Sequence, residues 1–182
     1  MTTETNHERK TEPMMRLPTS IPVLGILLLT IVAPAQAASD CQPIFDAYAA
    51  MYKMPAVKRT ITVPGMADAP EMVLTPDALY SRVGPKDSWG KMKLDEAARA
   101  IMKKGTPSPE TVNACQRIGS SEMDGIAGTA YEFTPPKLSG NVPGERITVL
   151  LDDNTGLPLI EKALKAATVA KIEYDGVTAP LP

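Results

Sequence analysis

The chain has 182 residues, a formal net charge of −2 and only 4% aromatic residues. Its lysines and arginines are scattered and form no basic stripe, which excludes the electrostatic signature of a protein that binds nucleic-acid backbones. We therefore expect no nucleic-acid partner.

The N-terminal segment has the pattern of a secretory signal peptide. Arg16 precedes an apolar run at residues 21–32, and a small-x-small site ends at Ala37. The run is shorter than the roughly 20 apolar residues that span a bilayer. We predict a signal peptide over residues 1–37 that is cleaved near Ala37, with Met14 or Met15 as an alternative start.

Cleavage at this point leaves residues 38–182, the size of one domain. We predict that this single domain is periplasmic, that it is a monomer and that it carries no transmembrane anchor. The oxidising compartment also governs the two cysteines of the chain.

Cys41 and Cys115 allow one intramolecular pairing, so a disulfide between them is the favoured prediction. Two alternatives stay open. Cys41 lies close behind the cleavage site, as a lipid-modified cysteine does, although Asp40 occupies the preceding position where lipoprotein processing requires a small residue. The second alternative is that both cysteines remain unpaired.

The loss of the leader also restricts the chemistry, because His7 is the only histidine. The mature chain can form neither a Ser-His-Asp nor a Cys-His centre, and it contains no nucleophile elbow or phosphate-binding glycine loop. The acidic pairs at 95–96 and 152–153 are interpreted as a helix N-terminus and a turn. We predict a protein that is not an enzyme and needs no metal or cofactor.

The first mature element is predicted to be a helix, which Ser39 or Asp40 caps and Pro55 ends, with Pro43 in its first turn. Its apolar side chains recur at helical spacing and form one face. This face is either ordinary core or the inner face of a lid. The lid-helix candidates are Ile44, Phe45, Tyr48, Met51 and Tyr52.

The pattern then changes to a period of two, which predicts a strand over 57–63. Arg59 falls on the apolar face of this strand, where a charge is costly unless it is paired. We interpret it either as a stem that lies over apolar surface or as a polar latch at a cavity mouth. Strands at 71–75 and 79–83 follow, and then a helix at 94–104 with an apolar stripe that includes Ile101.

The C-terminal half alternates more regularly. Strands at 115–123 and 126–133 flank Asp124-Gly125, a two-residue hairpin signal. Further strands are predicted at 146–152, 157–164 and 168–174. Seven or eight strands with two helices predict an α+β fold, and the short turns predict antiparallel pairing.

The turn and strand motifs of residues 115–180 resemble those of the periplasmic superfamily of outer-membrane lipoprotein carriers, including its uncharacterised members. The motifs are Gly119, EMDG at 122–125, AYEF at 130–133, VLLD at 149–152, TGLP at 155–158, YDGV at 174–177 and Ala179-Pro180. The resemblance implies a curved antiparallel sheet, an incomplete half-barrel, covered by two or three helices. It also implies that the protein carries or senses acyl chains.

The leading hypothesis is accordingly an exported, soluble protein that binds an apolar ligand, such as an acyl chain or lipid moiety, in a helix-covered half-barrel. The ligand-cavity candidates are Val57, Ile61, Val63, Tyr131, Phe133, Ile147, Val149 and Leu151. The alternative is a non-catalytic interaction module of the cell envelope with a filled core. Its proline-rich segments at 64–76 and 135–143 would then present recognition loops to an envelope protein partner.

Overall fold

The computed structural model describes residues 35–112, 114–135 and 142–181, so the apolar run at 21–32 and both alternative start sites lie outside the described residues. This part of the chain forms two helices and one sheet of nine strands. The helices are α1 (Ala35–Met51) and α2 (Glu96–Gly105). The strands are β1 (Val57–Thr62), β2 (Glu71–Leu74), β3 (Ala78–Arg82), β4 (Gly90–Lys93), β5 (Cys115–Met123), β6 (Ile126–Phe133), β7 (Ile147–Leu151), β8 (Pro158–Ala163) and β9 (Val169–Glu173).

The sheet is open, with the strand order β4-β3-β2-β1-β9-β8-β7-β6-β5 and antiparallel neighbours throughout. This confirms the α+β class and the antiparallel pairing, whereas closure into a half-barrel stays a prediction. The unpredicted strand is β4. All four of its residues are exposed, so its sequence lacks the apolar alternation that marks the other strands.

The first helix extends further upstream than the sequence predicts. It begins at Ala35, and Pro43 therefore lies inside it, not in its first turn. Alanine is the strongest helix former, and three alanines at the start of the segment favour this extension. The helix ends at Met51, before Pro55.

One face of the sheet packs against α1 and forms the main core. Ile44 of α1 and Val149 of β7 are fully buried, and Phe133 of β6 is 1% exposed. Tyr48 and Phe133 meet edge to face, with their ring centroids 6.4 Å apart. The core thus lies between α1 and the half of the sheet that contains β6 and β7.

A disulfide joins Cys41 of α1 to Cys115 of β5, with their Cα atoms 5.3 Å apart. The predicted pairing is therefore confirmed, and the alternatives of a lipid-modified Cys41 and of unpaired cysteines are wrong. The bond fixes the first turns of α1 over the β5 edge of the sheet.

The second helix is attached much more loosely. Asp95 caps it by accepting a hydrogen bond from the backbone N–H of Ala98 at 2.8 Å, but none of the residues of α2 is buried. Ile101, which belongs to the predicted apolar stripe of this helix, is 69% exposed. Neither α1 nor α2 is long and apolar enough to span a membrane.

The turn between β7 and β8 confirms the structural interpretation of the acidic pair at 152–153. Asp152 accepts hydrogen bonds from the backbone N–H groups of Asn154 at 2.6 Å and Thr155 at 3.0 Å. Asp153 accepts a hydrogen bond from the Thr129 hydroxyl at 2.6 Å. Asp152 thus holds the backbone of the turn, and Asp153 ties the turn to β6.

Candidate ligand-binding groove

An apolar groove of about 490 Å³ lies between α1 and α2, above the first strands of the sheet. We call it the main groove. Helix α1 forms one wall, α2 and the segment 106–109 form the other, and β1 and β2 contribute to the floor. Its main apolar side chains are Phe45, Met54, Val57, Leu74, Leu94 and Met102.

The groove exists because the two helices pack differently. The Tyr48 side of α1 is buried against the sheet, while Phe45 and Tyr52 also border the groove. Few hydrogen bonds hold helix α2 to the rest of the molecule. Arg99 donates hydrogen bonds to the carbonyls of Leu94 at 3.2 Å and Pro76 at 2.6 Å, and the Thr106 and Tyr52 hydroxyls are 3.0 Å apart.

Charged side chains border the groove on both walls. Arg99 and Lys103 lie one turn apart on α2, and Asp46 lies on α1, where it accepts a hydrogen bond from Gln42 at 2.8 Å. Helix α2 therefore presents Arg99, Met102 and Lys103 to the groove, and Ile101 lies outside this set. The groove combines an apolar interior with a charged border.

A second cavity of about 320 Å³ adjoins the main groove and shares Met51, Tyr52, Thr106 and Pro107 with it. Arg59 and Glu161 both border this second cavity and form an ion pair. The two residues lie on β1 and β8, separated by β9.

The hydroxyl of Tyr48 donates a hydrogen bond to Glu161 Oε1 at 2.7 Å, which ties α1 to the ion pair. Burial raises the pKa of Tyr48 well above its ordinary value, and the charge of Glu161 raises it further. The same carboxylate raises the pKa of Arg59. The three side chains form one charge-neutral cluster between helix and sheet, in which Tyr48 stays protonated and Arg59 charged.

Three of the eight cavity candidates border the main groove or the second cavity. Val57 borders the main groove, and Phe133 and Ile147 border the second cavity. Tyr131, Val149 and Leu151 are buried in the core beneath α1, while Ile61 and Val63 are half-buried and Val63 lies just beyond β1.

The lid-helix candidates divide in a similar way. Phe45, Met51 and Tyr52 border the main groove, whereas Tyr48 borders the second cavity and Ile44 lies entirely within the core. Tyr52 follows the last residue of α1 and is 43% exposed, so the common helical spacing identifies the packed face only for the other four candidates. It does not distinguish the part of that face that faces an opening.

Several residues of the site are not among those predicted from the sequence. Leu74 belongs to a segment correctly predicted as a strand, and the strand alternation was the signal that could have identified it. Met102 belongs to a segment correctly predicted as a helix, and its helical spacing was the corresponding signal. Arg99 and Lys103 resemble ordinary solvated helix charges. Glu161 is an acidic residue on a strand face that otherwise turns to the core. Together with Arg59, a basic residue on the same face of the sheet, it indicated a partly buried ion pair.

No protein-family model matches the sequence, and no curated protein sequence matches it. Among solved structures, the chain is similar to the lipoprotein LppX of Mycobacterium tuberculosis, with 11% identity, a TM-score of 0.48 and coverage of 81% of this chain and 100% of LppX. The chain is also similar to LprF of Mycobacterium bovis, with 14% identity, a TM-score of 0.47 and coverage of 80% of this chain and 97% of LprF.

MucB, solved in complex with MucA(peri), is 14% identical with a TM-score of 0.46; the match covers 80% of this chain and 57% of MucB. The likenesses to LppX and LprF are of low identity.

Proposed function

We propose that this protein binds an apolar ligand, such as an acyl chain or lipid moiety, in the main groove. The observation that carries the proposal is the groove itself: about 490 Å³, lined mostly by apolar side chains and walled by two helices. Small-molecule sites are concave and mostly apolar, with volumes of roughly 300–1,000 Å³.

Export of the protein is part of the same proposal. The disulfide between Cys41 and Cys115 is of the kind that forms in oxidising compartments, which supports a signal peptide cleaved near Ala37 and a periplasmic location. N-terminal sequencing of the mature protein tests this, and a mature terminus far upstream of Ala35 would contradict it.

Arg59 is proposed as a polar latch that holds α1 on the sheet through Glu161 and Tyr48. The cluster joins the helix that forms one wall of the groove to β1, which contributes to the floor, and to β8. Loss of the latch should therefore loosen the wall and change the affinity for ligand as well as stability.

Ligand uptake tests the proposal. Native mass spectrometry of the protein purified from the cell envelope should show a co-purifying lipid, and the purified protein should take up a fluorescent fatty acid. Ala49 borders the groove from α1, so Ala49→Phe should fill the groove and weaken uptake at least several-fold. Ala97→Phe, at an exposed position of α2 outside the groove, is the matched control.

Two results would contradict the proposal. One is a wild-type protein that carries no lipid and takes up no fatty acid. The other is uptake by the Ala49→Phe variant that equals that of the wild type and of the control. Capture of one stoichiometric envelope protein without any lipid would instead support the alternative of a non-catalytic interaction module.

A further inference from the structure

We propose that the ligand of the main groove is an anionic amphiphile, a single apolar chain that ends in a carboxylate or a phosphate, and that Arg99 and Lys103 bind its head. This inference rests on the proposed binding of an apolar chain in the groove. It adds the chemistry of the polar end, which the apolar lining alone does not specify.

Arg99 and Lys103 are placed to act together. They are four residues apart on α2, so they lie on the same helix face, and both border the groove. The guanidinium of Arg99 is held in position because it donates to the carbonyls of Leu94 and Pro76. Both acceptors are uncharged, so they orient the guanidinium without neutralising it.

The guanidinium also keeps free donors. Arginine has five N–H donors, and the two hydrogen bonds to carbonyls use Nε and one hydrogen of Nη2. The remaining donors match the geometry of a carboxylate or a phosphate, the groups that arginine binds most strongly. The ammonium of Lys103 adds a second positive charge one turn away.

The charge balance at the groove border favours an anion. Among the described residues that border the groove, Arg99 and Lys103 are basic and Asp46 alone is acidic. The ion pairs formed within the described part of the chain involve other cations, such as Lys58 and Arg82. An anionic head would therefore meet a net positive border, whereas a neutral head would leave these charges to solvent.

Competition against a fluorescent fatty acid compares three ligands with the same apolar chain: palmitate, palmityl phosphate and palmityl alcohol. We expect the wild-type protein to bind the two anions about tenfold more tightly than the alcohol, which corresponds to roughly 1.4 kcal/mol. In the double variant Arg99→Gln/Lys103→Gln this preference, the ratio of the affinity for an anion to the affinity for the alcohol, should disappear. The palmitate and phosphate arms distinguish a carboxylate from a phosphate as the preferred head.

The control variant is Lys104→Gln, which removes one positive charge from α2 at an exposed residue that does not border the groove. It should keep the preference for anions. Asp46→Asn should strengthen palmitate binding, because it removes the acidic residue of the border. A loss of preference in Lys104→Gln equal to that in the double variant Arg99→Gln/Lys103→Gln would show a general charge effect and overturn the inference.

The outcomes separate this inference from the proposed function. If the wild-type protein binds palmitate and palmityl alcohol equally well, the inference is wrong and the apolar site stands. If it binds none of the three ligands, the proposed function fails and the inference fails with it.

Discussion

Replacement of Glu161 by glutamine tests the energetic role of the cluster of Arg59, Glu161 and Tyr48. The amide keeps an acceptor for the Tyr48 hydroxyl but removes the charge that compensates Arg59. Breaking one side of a fully buried ion pair costs roughly 3–5 kcal/mol, because the other charge is left unpaired. The Arg59 side chain is 30% exposed, so solvent reduces this cost, and we expect about 2 kcal/mol.

The double variant Arg59→Met/Glu161→Gln removes both charges and still leaves the Tyr48 hydroxyl an acceptor. It should be within about 1 kcal/mol of wild type, because the replacement of a whole buried pair by uncharged groups is often close to neutral. Urea unfolding of the oxidised protein gives the four free energies of unfolding of the double-mutant cycle. For a chain of this size, Glu161→Gln should lower the Tm by roughly 4–8 °C.

Glu173→Gln is the matched control for Glu161→Gln. Its carboxylate is 41% exposed and makes only long ion pairs, at 3.7 Å with Lys58 and 3.9 Å with Lys171, so its loss should cost under about 0.5 kcal/mol. The reasoning is refuted if Glu161→Gln costs no more than this control. It is refuted equally if the double variant is as unstable as the sum of its two single variants.

Three further predictions follow from other contacts. Replacement of Cys41 and Cys115 by serine opens a loop with a sequence separation of 74 residues and should cost roughly 4 kcal/mol, seen as a lower urea midpoint than that of the oxidised protein. Backbone N–H groups, that of Lys165 first, lower the pKa of Glu145. The resulting stabilisation is present above the ordinary pKa of about 4.5 and is lost as the pH falls below it. The free energy of unfolding of Glu145→Gln should therefore decline less steeply with falling pH than that of the wild type, as measured by acid titration. Gly128→Ala would place a Cβ 2.2 Å from a backbone carbonyl oxygen of β7 and should lower the Tm by several degrees, with an unchanged Tm contradicting this close approach.

The strands were largely predictable because half-buried strands alternate visibly. Residues 115–123 and 126–133 form β5 and β6 with the predicted bounds, and the two central residues of their hairpin, Asp124 and Gly125, adopt the positive φ angles that such a turn requires. The edge strand β4 could not be predicted, since its GKMK sequence is exposed on both faces. It pairs because β3 offers a free edge.

The site was less predictable than the fold, because openings depend on how elements are placed relative to one another. Helical spacing places Ile101 and Met102 next to each other on α2, yet only Met102 faces the groove while Ile101 is exposed. Nothing in the local sequence determines which side of a lightly attached helix turns inward. Arg59 was recognisable as a charge on an apolar face, but its partner Glu161 lies 102 residues away on a strand that is not adjacent to β1.

The sequence left open whether the sheet encloses a cavity or a filled core. In the structure, one half of the sheet face carries a filled core and the other half borders an open groove. Beneath α1, side chains such as Phe133 and Val149 are packed without solvent contact. Over β1 and β2 the opposing element is α2, none of whose residues is buried, and the space that it leaves is the main groove. The disulfide and the Arg59 cluster fix α1, so a ligand that enters the groove would encounter one firmly held wall and one wall, α2, that few contacts restrain. Because no residue of α2 is buried, substitutions on α2 should change ligand binding more than they change the free energy of unfolding, whereas substitutions in the Arg59 cluster should change both.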